Sequence, residues 1–257
     1  MKTKTNRKQM KKIYLVLIVL LPALTYGQNT IKKTEIHSNP NYKEIYYVLK
    51  SDKVTLNGSY TKLSSDDKVL EDGFYKNGAK DSIWRKYFWN GKILNTGKYV
   101  ADKKVGIWEC FTNDGKLELS FDYSTNKLVY YKINDKEKDK KFNVMKDGSI
   151  DKVKLDRPPL YIDGTEGLNH FIFLNLRYPA MAQESGISGK VEITFTIDSE
   201  GKTSNHRVTY GIGSGCDESA LRAVKMIPDN WLPGVFEGNP VTVEYVLPIG
   251  FKILKGK

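Results

Sequence analysis

The clearest alternation of apolar and polar residues runs through residues 190–198, near the C-terminus. Its apolar positions, which fall on one side of an extended chain, are Val191, Ile193, Phe195 and Ile197. This pattern predicts a half-buried β-strand, and Ser199-Glu200-Gly201 predicts the turn into a second strand that ends near Tyr210. Residues 241–247 alternate in the same way and predict the last strand.

Apolar stripes with helical spacing flank these strands. They consist of Leu168, Phe171, Ile172 and Leu176, and of Ala220, Leu221 and Val224. We expect Thr165 to cap the first helix and Asp217 the second. Residues 179–185 predict a short helix between the first long helix and the first strand, because proline suits the first helical turn. The element order is typical of an α+β fold, a small antiparallel sheet with helices packed on one face.

A repeat with a period of 24 residues occupies the first half of the chain. The residues in register are Tyr60, Trp84 and Trp108, then Gly73 and Gly97, then Tyr75, Tyr99 and Tyr123. Dipeptides such as Asn77-Gly78 and Asp114-Gly115 supply the positive φ of hairpin turns. We therefore expect an all-β region of about three stacked hairpins with the aromatic rows as their core. A glycan- or lipid-binding role for these rings is the less favoured alternative.

The repeat, Gly-x-Trp followed by Asn/Asp-Gly-Lys and Gly-x-Tyr, resembles the MORN repeat family in its bacterial variant. The C-terminal third resembles the C-terminal domain of TonB-type energy transducers. The motif residues that carry this second resemblance are Tyr178, Pro179, Gly186, Gly189, Asp217, Ala220, Leu221, Trp231, Pro233 and Gly234. We interpret these residues as structural.

The TonB resemblance implies a binding function for the last strand. In that family, the region recognises an extended segment at the N-terminus of outer-membrane receptors by adding it as an extra strand. An edge strand has unpaired N–H and C=O groups that such a peptide satisfies. Pro248 lacks a donor and is tolerated mainly on edges. The expected backbone-binding residues are Val241, Thr242, Val243, Glu244, Tyr245, Val246 and Leu247.

The N-terminus predicts export. Residues 1–27 combine a basic segment, an apolar run and small residues suited to cleavage before Gln28, which is the layout of a signal peptide. We then expect hairpin repeats at residues 28–123, a charged linker at 124–157 and the TonB-like domain at 158–257. Retention of the apolar run as an inner-membrane anchor is left open. With nine prolines and no proline-rich tract, the chain lacks the long spacer of TonB transducers.

Composition removes several function classes. The formal net charge is +11, but the predicted signal carries six of the positive charges, and the mixed charge of the remainder does not indicate nucleic-acid binding. His37, His170 and His206 lie far apart, and none has the sequence spacing of a metal site. We expect no catalytic residues, cofactor or metal. Cys110 and Cys216 are predicted as small apolar core residues, with a disulfide between them left open.

These patterns predict a periplasmic, non-enzymatic protein whose TonB-like domain binds an extended peptide. The hairpin repeats would offer a second protein-binding surface. Two alternatives stay open: a membrane-anchored energy transducer for outer-membrane transport, and a periplasmic scaffold with no receptor binding. The sequence does not identify the receptor or the oligomeric state.

Overall fold

The computed structural model describes residues 29–38, 40–133, 138–146 and 149–253. The predicted signal segment therefore lies outside the described residues. Within the described ranges, no helix has both the length and the apolar character needed to cross a membrane.

The N-terminal half forms one antiparallel sheet of nine strands, each paired with the strand before and after it in the chain. The strands are β1 (Thr30–Ser38), β2 (Asn41–Leu49), β3 (Leu56–Ser64), β4 (Val69–Lys76), β5 (Ala79–Tyr87), β6 (Ile93–Val100), β7 (Lys103–Phe111), β8 (Leu117–Asp122) and β9 (Lys127–Tyr131). One 24-residue repeat corresponds to two strands, so the equivalent aromatic residues lie on β3, β5 and β7.

The repeated glycines and tryptophans of this sheet pack against each other. A Cβ atom at Gly73 would overlap the indole of Trp84, and one at Gly97 would overlap the indole of Trp108. Both tryptophans are buried, and Trp84 Nε1 donates to the carbonyls of Phe74 and Asp81 at 3.1 Å. The sequence repeats glycine with tryptophan because the bulky ring needs a neighbouring strand without a side chain.

The C-terminal half contains a second sheet and three helices. Its elements are β10 (Lys141–Lys146), β11 (Ser149–Lys154), β12 (Leu160–Tyr161), α1 (Gly164–Asn175), α2 (Ala180–Glu184), β13 (Gly189–Ile197), β14 (Thr203–Tyr210), α3 (Cys216–Lys225), β15 (Trp231–Leu232), β16 (Gly234–Phe236) and β17 (Asn239–Phe251). The six-stranded sheet has the order β11-β10-β17-β13-β14, with β16 also paired to β17, while β12 and β15 form a separate pair.

The core of this half lies between the six-stranded sheet and the helices. Apolar residues of β13 and β17 are almost fully buried in one cluster with Ala220 and Val224 of α3. The predicted fold class is confirmed: a long all-β sheet is followed by an α+β unit with a smaller antiparallel sheet. Residues 124–157, predicted as a charged linker, contain β9, β10 and β11. The domain boundaries themselves stay predictions.

Both predicted helix caps are wrong by two residues. The N-cap of α1 is Asp163, whose carboxylate contacts Lys104 Nζ at 2.5 Å, and the N–H of Thr165 donates to Glu118 of β8 at 3.1 Å. The N-cap of α3 is Gly215, in the left-handed region. Contacts from the nine-stranded sheet thus take over capping at α1, which also joins the two halves of the chain.

Candidate functional site

The predicted binding strand lies inside β17, and β17 is not an open edge over all of its length. On one side it pairs with β13 from Val243 to Phe251. On the other side β10 pairs with residues 242–244, and β16 pairs with residues 239–241 at the start of the strand. The expectation that residues 241–247 form an uncovered edge is therefore wrong for residues 241–244.

The covering strand comes from the segment that its charge had marked as a linker. Phe142 and Val144 of β10 alternate with polar residues, and both side chains belong to the C-terminal core, at 5% and 4% exposure. Asn143 faces the other way, and its Nδ2 donates to Glu244 Oε2 at 2.9 Å. Although lysines surround them in the sequence, Phe142 and Val144 provide two buried apolar side chains, which hold a short strand against β17.

Polar contacts on the outer face of the sheet also hold β10 to β17. The carboxylate of Glu244 accepts from Asn143 and, through Oε1, from Arg207 Nη2 of β14. The hydrogen bond from Asn143, followed by that from Arg207, lowers the pKa of the Glu244 carboxyl below its ordinary value. Glu244 therefore links three strands, β10, β17 and β14, in its ionised form.

The rest of β17 has a different environment. Residues 246–251 pair with residues 189–194 of β13, and no strand pairs with their other side within the described part of the chain. We call this side the outer edge of β17. Leu247, Ile249 and Phe251 are buried and anchor it, whereas Val246 is 38% exposed. The outer edge is thus a well-anchored strand that presents main-chain polar groups along its free side.

The far end of the same sheet is a less regular edge. Among the described residues, strand β14 pairs only with β13, and their register shifts twice, between Glu192 and Ile193 and between Thr194 and Thr196. Asn205 of β14 has a φ of 55°. Such bulges twist an edge away from flat pairing and disfavour addition of another strand. Of these two strands, the outer edge of β17 is the better template for a peptide.

The motif residues near the start of the TonB-like region hold segments together. The hydroxyl of Tyr178 donates to the carbonyl of Ile187, and its ring packs on Phe251 at a centroid distance of 5.3 Å. Pro179 is the N-cap of α2, and Gly186 follows α2 with a φ of 68°. A Cβ atom at Gly189 would meet Ile212 at 3.0 Å.

The later motif residues lie in the core or at turns. Asp217 accepts hydrogen bonds from the N–H groups of Ile212 and Gly213 and fixes the loop before α3. Trp231 is 4% exposed, and its ring packs edge-on against Tyr161 at 5.2 Å. The remaining motif residues are buried Ala220, half-buried Leu221, Pro233, whose carbonyl accepts from Arg157 at 2.8 Å, and Gly234 beside Leu155 and Val243.

The two cysteines are both free and buried. Cys110 lies on β7 and its Sγ contacts the carbonyl of Ile162, whereas Cys216 begins α3 in the C-terminal core. Burial raises the pKa of both thiols above their ordinary value. Both side chains therefore act as small apolar residues in the core.

One cluster was missed by reasoning from sequence. His37 lies beside Glu44 and Glu35, with Nε2 at 3.1 Å and 3.9 Å from their carboxylate oxygens. The spacing of Glu35 and His37 on β1 was visible in the sequence, but the position of Glu44 directly opposite Glu35 follows from the hairpin register that the structure shows. His170 and His206 lie elsewhere, and burial lowers the pKa of both imidazoles.

Comparisons with known proteins agree with the TonB resemblance. Residues 175–253 match a family model described as the Gram-negative bacterial TonB protein C-terminal, which is a non-enzymatic protein-interaction domain of the cell envelope. No curated protein matched the chain. The MORN assignment stays a prediction.

Two solution structures of the Helicobacter pylori TonB C-terminal domain resemble part of the chain. One spans residues 179–285 of that protein, with 26% identity, 35% coverage of this chain, 79% coverage of the other and a TM-score of 0.26. The second spans residues 194–285, with 28% identity, 34% and 90% coverage and a TM-score of 0.27.

Proposed function

We propose that this chain is an exported envelope protein that binds an extended segment of a partner protein by strand addition to β17. The family match favours one partner of this kind, the N-terminal segment of a TonB-dependent outer-membrane receptor. The observation that carries the proposal is the unequal cover of β17, whose pairing with β10 stops at Glu244. The docking position is accordingly residues 246–251 rather than residues 241–244.

The outer edge of β17 has the size of a peptide site. Six residues of strand span about 20 Å. Only alternate residues direct their N–H and C=O groups outward, and Pro248 has no donor, so a peptide forms few main-chain hydrogen bonds here. With net contributions of about 0.5–1.5 kcal/mol each, such bonds support weak, reversible binding. Specificity would come from side chains beside the exposed Val246.

We expect the peptide to lie end to end with β10 rather than to replace it. Removal of β10 would expose Phe142 and Val144, and each buried side chain of this size contributes roughly 1.5–3 kcal/mol. It would also break the hydrogen bond between Asn143 and Glu244. A few main-chain hydrogen bonds to a peptide do not offset both losses.

A titration of the isotope-labelled chain with receptor-derived peptides tests the proposal. Amide shifts confined to residues 246–251 and their β13 partners are expected. Peptides methylated on alternate backbone nitrogens sharpen the test, because methylation removes donors without changing side chains. Methylation of the nitrogens that face β17 should abolish binding, whereas methylation of the alternate nitrogens, which face away from β17, should not. Shifts on β14 alone, or no shifts, would contradict the proposal, and the second result favours the scaffold alternative.

A disulfide that locks β10 in place separates the two docking modes. Asn143 and Glu244 are cross-strand partners, so the double variant Asn143→Cys/Glu244→Cys is designed to join β10 to β17 covalently. We expect the oxidised variant to bind the peptide as well as the same variant after reduction. Loss of binding only on oxidation would mean that the peptide replaces β10.

The nine-stranded sheet is proposed as a second protein-binding surface. Its face opposite the tryptophans presents Ile83 and Ile107, which are 46% and 53% exposed at equivalent positions of the repeat. Exposed apolar residues in a regular row are typical of a contact surface. Cross-linking in envelope extracts should give an adduct that the double variant Ile83→Lys/Ile107→Lys loses. An unchanged adduct would contradict a role for this face.

A further inference from the structure

The hairpin at the first edge of the nine-stranded sheet brings together one imidazole and two carboxylates. Glu35 and His37 project from the same face of β1, and Glu44 projects from the same face of β2. One ligand atom from each of the three side chains lies within 4.8 Å of the other two. His37 Nε2 is 3.1 Å from Glu44 Oε2 and 3.9 Å from Glu35 Oε2.

The two carboxylates form an unfavourable pair unless a cation compensates them. Glu35 and Glu44 are direct cross-strand partners, and like charges in this position destabilise a sheet. Lys62 lies opposite Glu44 on β3, but its Nζ is placed over the ring of Tyr42 at 3.7 Å. The side chain whose ring nitrogen lies between the two glutamates is His37.

Two tyrosines orient the carboxylates. The hydroxyl of Tyr46 donates to Glu35 Oε1, and the hydroxyl of Tyr60 donates to Glu44 Oε1 at 2.5 Å. In both glutamates the Oε1 atom is thus occupied, and the Oε2 atom faces His37.

His37 is fixed in the same way. Its ring stacks on Tyr42, with a centroid distance of 4.2 Å and an interplanar angle of 21°. Stacking restricts rotation of the imidazole and keeps Nε2 directed between the glutamates. Supporting contacts that orient each donor are a regular feature of metal sites.

From this arrangement we propose that Glu35, His37 and Glu44 form a binding site for a divalent first-row transition-metal ion such as Zn²⁺. One nitrogen and two oxygen donors match the preferences of such ions, and the two negative charges balance the ion. Ca²⁺ and Mg²⁺ prefer all-oxygen ligands and fit less well. Donor atoms around Zn²⁺ lie about 2.0–2.2 Å from it, so Glu35 must move slightly inward. Its 55% exposed side chain is free to do so.

The metal would act on structure rather than on chemistry. Strand β1 is the first edge of the sheet and pairs only with β2 in the described part of the chain. An ion held by both strands would fasten this edge, and binding only to the folded state raises its stability.

Isothermal titration of the tag-free, metal-stripped chain with ZnCl₂ at pH 7.5 tests the site. We expect one equivalent of Zn²⁺ to bind and to raise the thermal midpoint, with no competition from excess Mg²⁺ or Ca²⁺. His37→Gln and Glu44→Gln should each weaken Zn²⁺ binding by about 10-fold or more, because loss of a contact that only supports a ligand already has an effect of this size. The variant Tyr60→Phe should weaken it by about 10-fold or more while keeping all three donors.

The matched control is His170→Gln, which removes a histidine of α1 and should leave the affinity unchanged. Zn²⁺-dependent shifts of the His37 ring protons in the unaltered chain provide a second readout if a variant does not fold. Absence of stoichiometric binding, shifts at other histidines only, or equal weakening by His170→Gln would each overturn the proposal. In the first case, His37 and the glutamates form only a hydrogen-bonded cluster.

Discussion

The two sheets of this molecule are assembled by different routes. In the nine-stranded sheet every strand pairs with its neighbours in the chain. In the six-stranded sheet the last strand, β17, lies between β10 and β13, so Asn143 contacts Glu244 across 101 residues of sequence. The first sheet is therefore held together by local hairpins, whereas the second needs segments that are distant in the chain.

This difference also determines where binding surfaces remain. The nine-stranded sheet is stabilised by the packing of tryptophan on glycine, which repeats from hairpin to hairpin. The face opposite the tryptophans is left available for binding. In the six-stranded sheet the longest strand, β17, lies at the centre. Part of β17 is unpaired on one side because β10 pairs with only three of its residues. A repeated architecture thus offers a face, while a centrally inserted strand offers a short length of edge.

The largest expected effect tests the repeated contact. Trp108→Ala removes a 5% exposed indole that packs over Gly97, and we expect the free energy of unfolding to fall by about 4 kcal/mol. Chemical denaturation monitored by circular dichroism measures it. Trp89→Ala is the control, because this side chain is 64% exposed and its loss should have almost no effect. Similar losses in both variants would show that the indole row is not the core of the sheet.

The second prediction concerns the segment that covers β17. Phe142→Ala should lower the free energy of unfolding by about 3 kcal/mol, because the ring is buried in the C-terminal core. Ile150→Ala on the neighbouring strand β11 is the control, since Ile150 is 59% exposed. A loss of less than about 1 kcal/mol for Phe142→Ala would fall well below core values and would contradict β10 as a built-in strand.

The third prediction separates glycines that are required from glycines that are not. Gly97→Ala places a Cβ atom on the indole of Trp108 and should destabilise the protein by about 2 kcal/mol. At Gly250 of β17 an added Cβ meets nothing within 4 Å. Gly250→Ala should therefore be neutral or slightly stabilising. Equal costs for the two variants, measured by the same denaturation, would mean that backbone freedom rather than ring packing requires Gly97.

The same contrast explains how far sequence reasoning reached. The 24-residue period in Gly73, Trp84 and their equivalents predicted hairpins, because each repeat interacts mainly with its neighbour. The alternation in β13 and β17 predicted two strands of the second sheet. The turn at Ser199-Glu200-Gly201 also predicted β14 beside β13. The pairing of β10 with β17 was not predictable, because it joins residues 143–145 to residues 242–244 across a long stretch of sequence. Lysines around Phe142 also made β10 resemble a linker.

The candidate sites show the same limit. Cross-strand neighbours such as Glu35 and Glu44 follow from a hairpin register, which the turn between β1 and β2 did not reveal in the sequence. The edge assignment of residues 241–247 failed for residues 241–244, because strand alternation indicates which face is buried but not which side is paired.

The smallest expected effect concerns the ionised state of Glu244, which joins β10 to β17. Hydrogen bonds from Asn143 and Arg207 hold the pKa of this carboxyl below its ordinary value. A lowered pKa in the folded state means that the contribution to stability is complete above the unfolded value of about 4.3 and is lost as pH falls through the folded value.

Side-chain NMR titration of Glu244 measures this directly. We expect a pKa below the ordinary value of a glutamate in the unaltered chain and a clear rise in Asn143→Ala, which removes the largest cause of the shift. Protonation of Glu244 at pH 3 weakens its hydrogen bond with Asn143 of β10. The backbone amides of β10 should therefore exchange with solvent faster at pH 3 than the fall in global stability alone explains. An unchanged pKa in Asn143→Ala would show that Arg207 alone holds the carboxylate. The six-stranded sheet would then bind β10 through its apolar side chains without this polar contact.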